Sequence, residues 1–383
     1  MKEVRKMKKR IVALLLVCVM ALALCACGGS AAPAAPAAPA ASAEPAAPAA
    51  PAAPAEQPKE EAPAEEVKEA VEPYCFNISY GGTPSSSMVA VMTKLQEELT
   101  KCSDGAFTFN VYNDNGYKEA QALDEMMNDI VDIVYLASGS TCGTVTEVAY
   151  LGIPGCFRYT DDANAFFDFE DSVSGIMSDI YANYGIHYLG LRVPAKMAIV
   201  GTGDVVKAPA DLNGKVVRVS GTWLGKMAVA MDIATANVGL SELATALQRK
   251  TIDSCFTGIE QAYSQMLGEV ADYCCVLPET EGMGALVMDE DCWAKLSDAQ
   301  KACVEEAVEL WMQDCLAVSN EFCETAIKHM NDNNVTVYEF SDQECDDFLY
   351  AVPTVYEEID AQTTDLGIAL KDAILAYRAA HLG

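Results

Sequence analysis

Hydrophobic and polar positions divide the chain into three textures. Residues 11–24 are an unbroken apolar run. Residues 30–73 show no period at all. From residue 74 onward, short β-branched runs alternate with stretches of helical spacing. Residues 75–79 read as a first strand, and 85–99 as a helix with Met88, Val89, Met92 and Leu95 on its apolar face. Residues 106–111 alternate like a half-buried strand, a turn falls at 113–116, a helix at 119–129 and a strand at 131–135. A further strand covers 188–193. Turn chemistry at 211–214 precedes a strand at 215–219, then a Gly and a helical pattern. Ser241 suits a helix start, with Leu243, Ala246 and Leu247 following at helical spacing. That helix ends near 251–253, and 255–257 is again a strand. Ser297-Asp-Ala-Gln300 is a capping box, opening a helical period that runs to about residue 331, or roughly 50 Å at 1.5 Å per residue. Such a helix is too long for one small lobe. A late strand at 335–338 and a mostly helical C-terminus from residue 342 complete the pattern. Strands alternating with helices argue parallel sheets with helices on their faces.

Size changes this picture first. The part from residue 74 to 383 is large for a single core and fits two lobes. Charge changes it next: 25 basic against 56 acidic residues give a net charge of −31. That argues against nucleic acid and anionic membrane surfaces as partners. Of 15 cysteines, those beyond residue 74 include no Cys-x-x-Cys, and His187, His329 and His381 are far apart. No zinc site or other metal is expected. Several of these cysteines fall at apolar positions, which predicts reduced, buried thiols rather than disulfides.

The N-terminus carries targeting chemistry. Lys2, Arg5, Lys6, Lys8, Lys9 and Arg10 precede an apolar run too short to span a bilayer comfortably. Leu24-Cys25-Ala26-Cys27-Gly28 resembles a bacterial lipoprotein cleavage site. Residues 1–26 are then a signal peptide and Cys27 the lipidated first residue, anchored at the outer face of the cell membrane. Residues 27–73, rich in Ala, Pro and Glu, cannot build a core. They are expected to form a disordered tether, extended at about 3.1 Å per residue where polyproline-like.

Arg218 is the conspicuous residue for chemistry. It lies between Val217 and Val219 in an apolar strand, where a guanidinium is costly unless paired. Its planar fork matches a carboxylate. That carboxylate belongs either to a ligand or to the chain itself, for example Glu242 or Asp253. Gly221-Thr-Trp-Leu-Gly-Lys226 is one residue short of a phosphate loop, and Met227 stands where Ser or Thr would hold magnesium, so that reading is rejected. Loops after parallel strands gather ligands at the carboxyl edge of a sheet. This makes Tyr135 and Ser138 candidates, though Ser138 also fits an ordinary turn. Trp223 either walls a pocket or packs into the core, and Tyr263 is assigned to the core.

Three motifs together resemble the solute-binding proteins of tripartite ATP-independent periplasmic (TRAP) transporters, of the C4-dicarboxylate-binding type. They are Asp211-Leu-Asn-Gly-Lys-Val-Val-Arg-Val219, Ser241-Glu-Leu243 with Thr245-Ala-Leu-Gln248, and Thr251-Ile-Asp253 before a strand. The resemblance implies an α/β, two-lobed periplasmic-binding-protein-like fold with a ligand cleft between the lobes and a long helix crossing both. It implies lobe I at 74–195 plus about 284–323, and lobe II at 196–283 plus about 324–383. Arg218 would pair with the substrate carboxylate. A second basic residue is expected upstream: Arg192 has the matching Gly-Leu-Arg context, Lys196 the better spacing, and Arg192 ranks slightly ahead. Leu240 and Thr257 occupy substrate-contacting positions, with Thr257 where relatives often carry Asn. Asp129 replaces a family Gly, and Phe157 lies two residues further on than the family's "Leu-Pro-Phe" segment places it. The absence of an acid near Ala137 argues against a polyhydroxylated sugar acid.

The expectation is an extracytoplasmic receptor that captures a small organic acid, closes by a hinge, and delivers it to TRAP membrane subunits, with no cofactor. A ligand-sensing subunit of a membrane receptor would share this pocket. A surface enzyme acting on a small acid finds no nucleophile, base or metal motif in the sequence.

Overall fold

The computed structural model describes residues 70–82, 86–113, 119–280 and 282–381, all within one compact unit, Val67–Gly383. The expected signal peptide, Cys27 and nearly all of the expected tether lie outside the described residues, as does most of the turn at 113–116.

The chain first lays down β1 (Tyr74–Tyr80), α1 (Ser87–Cys102), β2 (Phe107–Asn113), α2 (Glu119–Met127), β3 (Ile133–Ala137), a short α3 (Ser138–Thr141), α4 (Ala163–Ala182) and β4 (Ile186–Arg192). It continues with β5 (Lys196–Gly201), β6 (Val216–Arg218), α5 (Thr222–Ala230), β7 (Ala234–Ala236), α6 (Leu243–Gln248), β8 (Ser254–Gly258), α7 (Ile259–Ser264) and β9 (Tyr273–Thr280). Then come β10 (Gly284–Asp289), α8 (Glu290–Trp293), α9 (Asp298–Asp332), β11 (Thr336–Glu339), α10 (Asp342–Phe348), α11 (Val352–Asp360) and α12 (Asp365–His381).

These strands form two sheets, ordered β2-β1-β3-β10-β4 and β11-β9-β5-β8-β6-β7. Most neighbours are parallel, as the alternation of strands and helices predicts. Two strands are not: β10 runs antiparallel to β3 and β4, and β5 runs antiparallel to β8 and β9. Each is the strand on which the chain arrives from the other sheet, after β9 and after β4 respectively. It therefore enters from the cleft side and runs opposite to strands that end there.

The long α9 ties the two lobes together. Ser297 caps it as the sequence predicts: its hydroxyl accepts from Gln300 N at 3.2 Å, and Gln300 Oε1 accepts from Ser297 N at 2.8 Å. Its 35 residues span about 52 Å. Trp311 Nε1 donates to Val91 O of α1 at 2.9 Å, and Ser319 Oγ to Val193 O beside the β4–β5 crossing at 2.9 Å. Further along, Met330 is fully buried in the second lobe.

The element ends shift for local reasons. The helix expected from 85 starts after Ser86, whose hydroxyl accepts from Val89 N. Ser241 is not a helix start: Leu240–Glu242 forms a 3-10 turn, with the Glu242 carboxylate accepting from Gly239 N, and α6 begins only at Leu243. Among the described residues no two cysteines are joined by a disulfide, and ten of the twelve are buried. Burial pushes thiols such as Cys156 and Cys345 up to about 12, which keeps them protonated and unreactive. Among the described residues, no helix is long and apolar enough to cross a membrane.

Candidate functional site: a cleft between two sheet edges

The carboxyl edges of the two sheets meet. On the first sheet this edge holds the ends of β3 and β4 and the start of α1. On the second it holds the ends of β6 and β8 and, because β5 is antiparallel to β8, the start of β5 at Lys196. Two contacts between the edges involve candidate residues or their neighbours. At one, Gly221 has φ +79, and a Cβ there would come within 3.3 Å of Gly139 O. Glycine is suited both to that conformation and to that approach. Beside it the Trp223 side chain is near enough to the Cys142 thiol to lower its pKa, against the larger upward push of burial. At the other, Arg192 Nη2 meets both carboxylate oxygens of Glu260 at 3.1 Å and Ser87 Oγ at 3.1 Å.

Arg218 ends β6 on the second edge and is 6% exposed. Its Nε donates to Val238 O at 3.0 Å and its Nη1 to Phe256 O at 3.3 Å. Neither internal partner proposed from the sequence reaches it. Asp253 Oδ2 accepts from Val216 N at 2.7 Å, and Glu242 Oε2 accepts from Gly239 N at 3.3 Å. Among the described residues, Arg218 forms no ion pair. Carbonyl dipoles fix the guanidinium plane but leave its full charge uncompensated. Such a group, held in place beforehand, is suited to bind an incoming anion.

The other candidates divide into two groups. Thr257, on β8, is fully buried, and its hydroxyl donates to Gln261 Oε1 at 2.8 Å. Leu240 sits in the 3-10 turn two residues after Val238, half-buried against the core. Trp223 is 8% exposed, under the Lys226 ammonium at 4.9 Å, and joins core packing to the cleft contact with Cys142. These three belong with Arg218 on the second lobe. Arg192, Tyr135 and Lys196 lie at the other contact. The Arg192 guanidinium is 5.8 Å from the centre of the Tyr135 ring, and the Lys196 ammonium is 5.9 Å from the Tyr159 ring. Burial works against the Arg192 charge, but Glu260 more than offsets this and holds its pKa above the usual range. Lys196 has no acidic partner among the described residues. Ser138 opens α3 at the end of β3; it is fully buried and its hydroxyl has no partner among the described residues. Tyr263 packs edge-on against Phe322 and His329, as a core residue would.

Sequence reasoning missed Glu260, Ser87, Tyr159 and Cys142. Glu260 carried a usable signal, since it is the only acid between Asp253 and Glu269 and follows an apolar strand directly. The other three have side chains common in any turn or core. A cavity of about 430 Å³ lies elsewhere, among α10, α11 and α12, lined by residues including Gly155, Val352, Tyr356, Lys371 and Arg378. It contains none of the candidate residues.

Comparisons with known proteins agree with this architecture. Residues 78–363 match the model of the bacterial extracellular solute-binding protein family 7. The uncharacterized protein y4mM of Sinorhizobium fredii is 23% identical over 240 residues, 61% of this chain but only 44% of that protein. The periplasmic ectoine-binding protein of the TeaABC TRAP transporter of Halomonas elongata superposes with a TM-score of 0.70 at 18% identity, covering 80% of this chain and 100% of the other. A sugar acid binding protein from Advenella mimigardefordensis, in complex with galactonate, gives 0.67 at 18% identity over 80% and 99%. An extracytoplasmic solute receptor of Bordetella pertussis binding pyroglutamic acid gives 0.68 at 14% over 79% and 99%. At these identities the structures establish the fold, while the family match covers most of the chain. The chain therefore belongs to family 7 of the bacterial extracellular solute-binding proteins, and its fold is that of the TRAP periplasmic solute-binding proteins.

Proposed function

We propose that this protein is an extracytoplasmic lipoprotein, anchored through Cys27, that captures a small organic acid and delivers it to a TRAP-type membrane transporter. The observation that carries the ligand class is Arg218: a buried guanidinium held by two carbonyl oxygens, with no carboxylate of the described chain to balance it. A ligand carboxylate supplies that balance at the point where the two edges close. Thr257 and Leu240 flank it on the same lobe, and Ser138 offers a hydroxyl from the other. Lys196 is the second cation of the site, ahead of Arg192, because Arg192 already has Glu260. Closure follows because ligand bound between the edges contacts both lobes only in the closed form. Ectoine, galactonate and pyroglutamic acid, named for structural neighbours, all carry a carboxylate, which fits an Arg218 anchor.

The test is a thermal-shift screen of the wild type and Arg218→Ala against a panel of small carboxylic acids. At 100 times its dissociation constant, a bound acid adds about 2.7 kcal/mol of stability. Loss of the Arg218 side chain should remove about 2–5 kcal/mol of binding free energy, the scale for breaking a desolvated charge pair. An acid that stabilises both proteins equally would remove Arg218 from the site.

A further inference from the structure

The second contact between the edges has its own logic. Arg192 and Glu260 come from different lobes, the last residue of β4 and the second residue of α7, and their side chains are 3% and 6% exposed. Both Glu260 oxygens sit on the same nitrogen, Nη2, at 3.1 Å, and that nitrogen also donates to Ser87 Oγ in the first turn of α1. One donor atom thus ties together three elements from the two edges.

We propose that Glu260 is a positioning residue: with Arg192 it forms a latch across the cleft that favours the closed form, and Arg192 serves this latch rather than touching the ligand. The inference rests on the reading of the protein as a receptor whose lobes close, but not on Arg218. When the edges separate, each charge regains water. When they meet, both lose it, and only their pairing compensates. The pair therefore contributes only in the closed state, and whatever strengthens one state relative to the other shifts the balance between them. The surrounding charges point the same way. The Lys196 ammonium lies over the Tyr159 ring, and Tyr159 feels both Glu260 and Arg192. Tyr159 thus lies near both cations and the Glu260 carboxylate. A ligand carboxylate approaching Arg192 would compete with Glu260 for the same Nη2 and be repelled by it. Arg218, on the second edge, has no such competitor.

The pair differs from a ligand contact in how it responds to substitution. Glu260→Gln leaves a buried, unpaired Arg192 in the closed form and should open the protein. Exchanging the two charges restores the pairing while each lobe keeps one buried charge, so Arg192→Glu with Glu260→Arg should close again. The experiment compares wild type, Glu260→Gln and the double variant without added ligand. It reads small-angle X-ray scattering and hydrogen exchange of the amides at 87–91 and 259–262. Glu260→Gln should have a larger radius of gyration and exchange at these amides at least about tenfold faster, the factor that 1.4 kcal/mol represents, with the double variant close to wild type. An unchanged Glu260→Gln protein overturns the latch, and so does a double variant as open as the single one. If Glu260→Gln does not fold, the double variant decides alone: compact and protected supports the latch, open overturns it.

A second arm uses succinate as probe in a thermal-shift titration. If Glu260→Gln gains succinate affinity by more than about tenfold, Arg192 is a ligand contact masked by Glu260, and the latch is wrong. Loss of the response to acids in Arg218→Ala, with scattering unchanged, bears only on the carboxylate anchor.

Discussion

Arg218 and Arg192 are the same side chain at facing sheet edges, each nearly sealed from water, yet their charges are handled in opposite ways. Arg192 meets a carboxylate of its own chain. Arg218 meets two carbonyls. Both are hydrogen-bonded, so geometry alone would not separate them; the difference lies in charge balance. A guanidinium cannot shed its proton at any physiological pH. Buried without a counter-ion, it either destabilises the fold or acquires an anion from outside. Two further arginines follow the pattern of Arg192. Arg158 and Arg378 converge on Glu279, which is wholly buried: Arg158 Nε forms an ion pair with it at 2.9 Å, and Arg378 Nη1 donates to it at 3.1 Å.

The largest effect expected tests the neutralised side of the comparison. Glu279→Gln removes the carboxylate that Arg158 and Arg378 share. Arg158 keeps Asp342 and Asp346 near the surface, but Arg378 keeps no acid among the described residues. The unfolding free energy should fall by about 3–5 kcal/mol, the range for stranding a buried charge, measured by urea denaturation. A loss below about 1 kcal/mol, the scale of an exposed pair, would show that counter-ions matter little here and would weaken the contrast with Arg218.

Glu170 is the mirror case, a buried acid with no cation beside it. Tyr188 donates to one of its oxygens at 2.6 Å, and the other oxygen has no partner among the described residues. Burial, aided by Asp171 and opposed by the Tyr188 hydrogen bond, raises its pKa to about 7. An acid can do what arginine cannot, which is to take up a proton and become neutral. The folded form therefore holds that proton more tightly than the unfolded chain, whose ordinary value is 4.5. The stability Glu170 contributes is fully present below about pH 4.5 and is lost as pH rises through about 7, by roughly 3 kcal/mol in all. Glu170→Gln should flatten that slope in denaturation profiles between pH 4.5 and 7. An unchanged slope would show that Glu170 titrates normally despite its burial.

How much of this was legible in the sequence follows from what each feature depends on. Strand and helix order shows in local periodicity, and the cap at Ser297 is a local motif, so both could be read. The 3-10 turn at Leu240–Glu242 could not, because Ser241 is the better local cap, and the helix nonetheless begins two residues later, at Leu243. The antiparallel entry of β5 and β10 is a matter of chain crossing, invisible to any window of sequence. Arg218 was legible because a cation in an apolar strand stands out at once. The pairing of Arg192 with Glu260 joins residues 68 positions apart in sequence, and nothing in either neighbourhood announces the other. Ranking Arg192 ahead of Lys196 as a ligand contact rested on local context, which holds no sign of this distant carboxylate.

The smallest expected effect is the sharpest test of the comparison. Arg218→Met, without ligand, removes two hydrogen bonds to carbonyls. Bonds from a charged donor contribute about 1.5–3 kcal/mol each. The substitution also removes the cost of keeping an uncompensated charge almost dry, which is of similar size and opposite sign. Methionine fills much of the same volume and adapts to irregular walls. The two terms should nearly cancel, leaving the unfolding free energy within about 1 kcal/mol of wild type. Arg192→Met alone should cost more, because it leaves Glu260 buried and unpaired. If Arg218→Met instead lost 3 kcal/mol or more, comparable to breaking a buried ion pair, the carbonyls of Val238 and Phe256 would be sufficient partners. The guanidinium would then be a brace between β6 and β8, and the charge imbalance at Arg218 would no longer argue for an acidic ligand. Near-neutral stability together with lost acid binding would mean that the chain keeps this charge for a partner it does not itself contain.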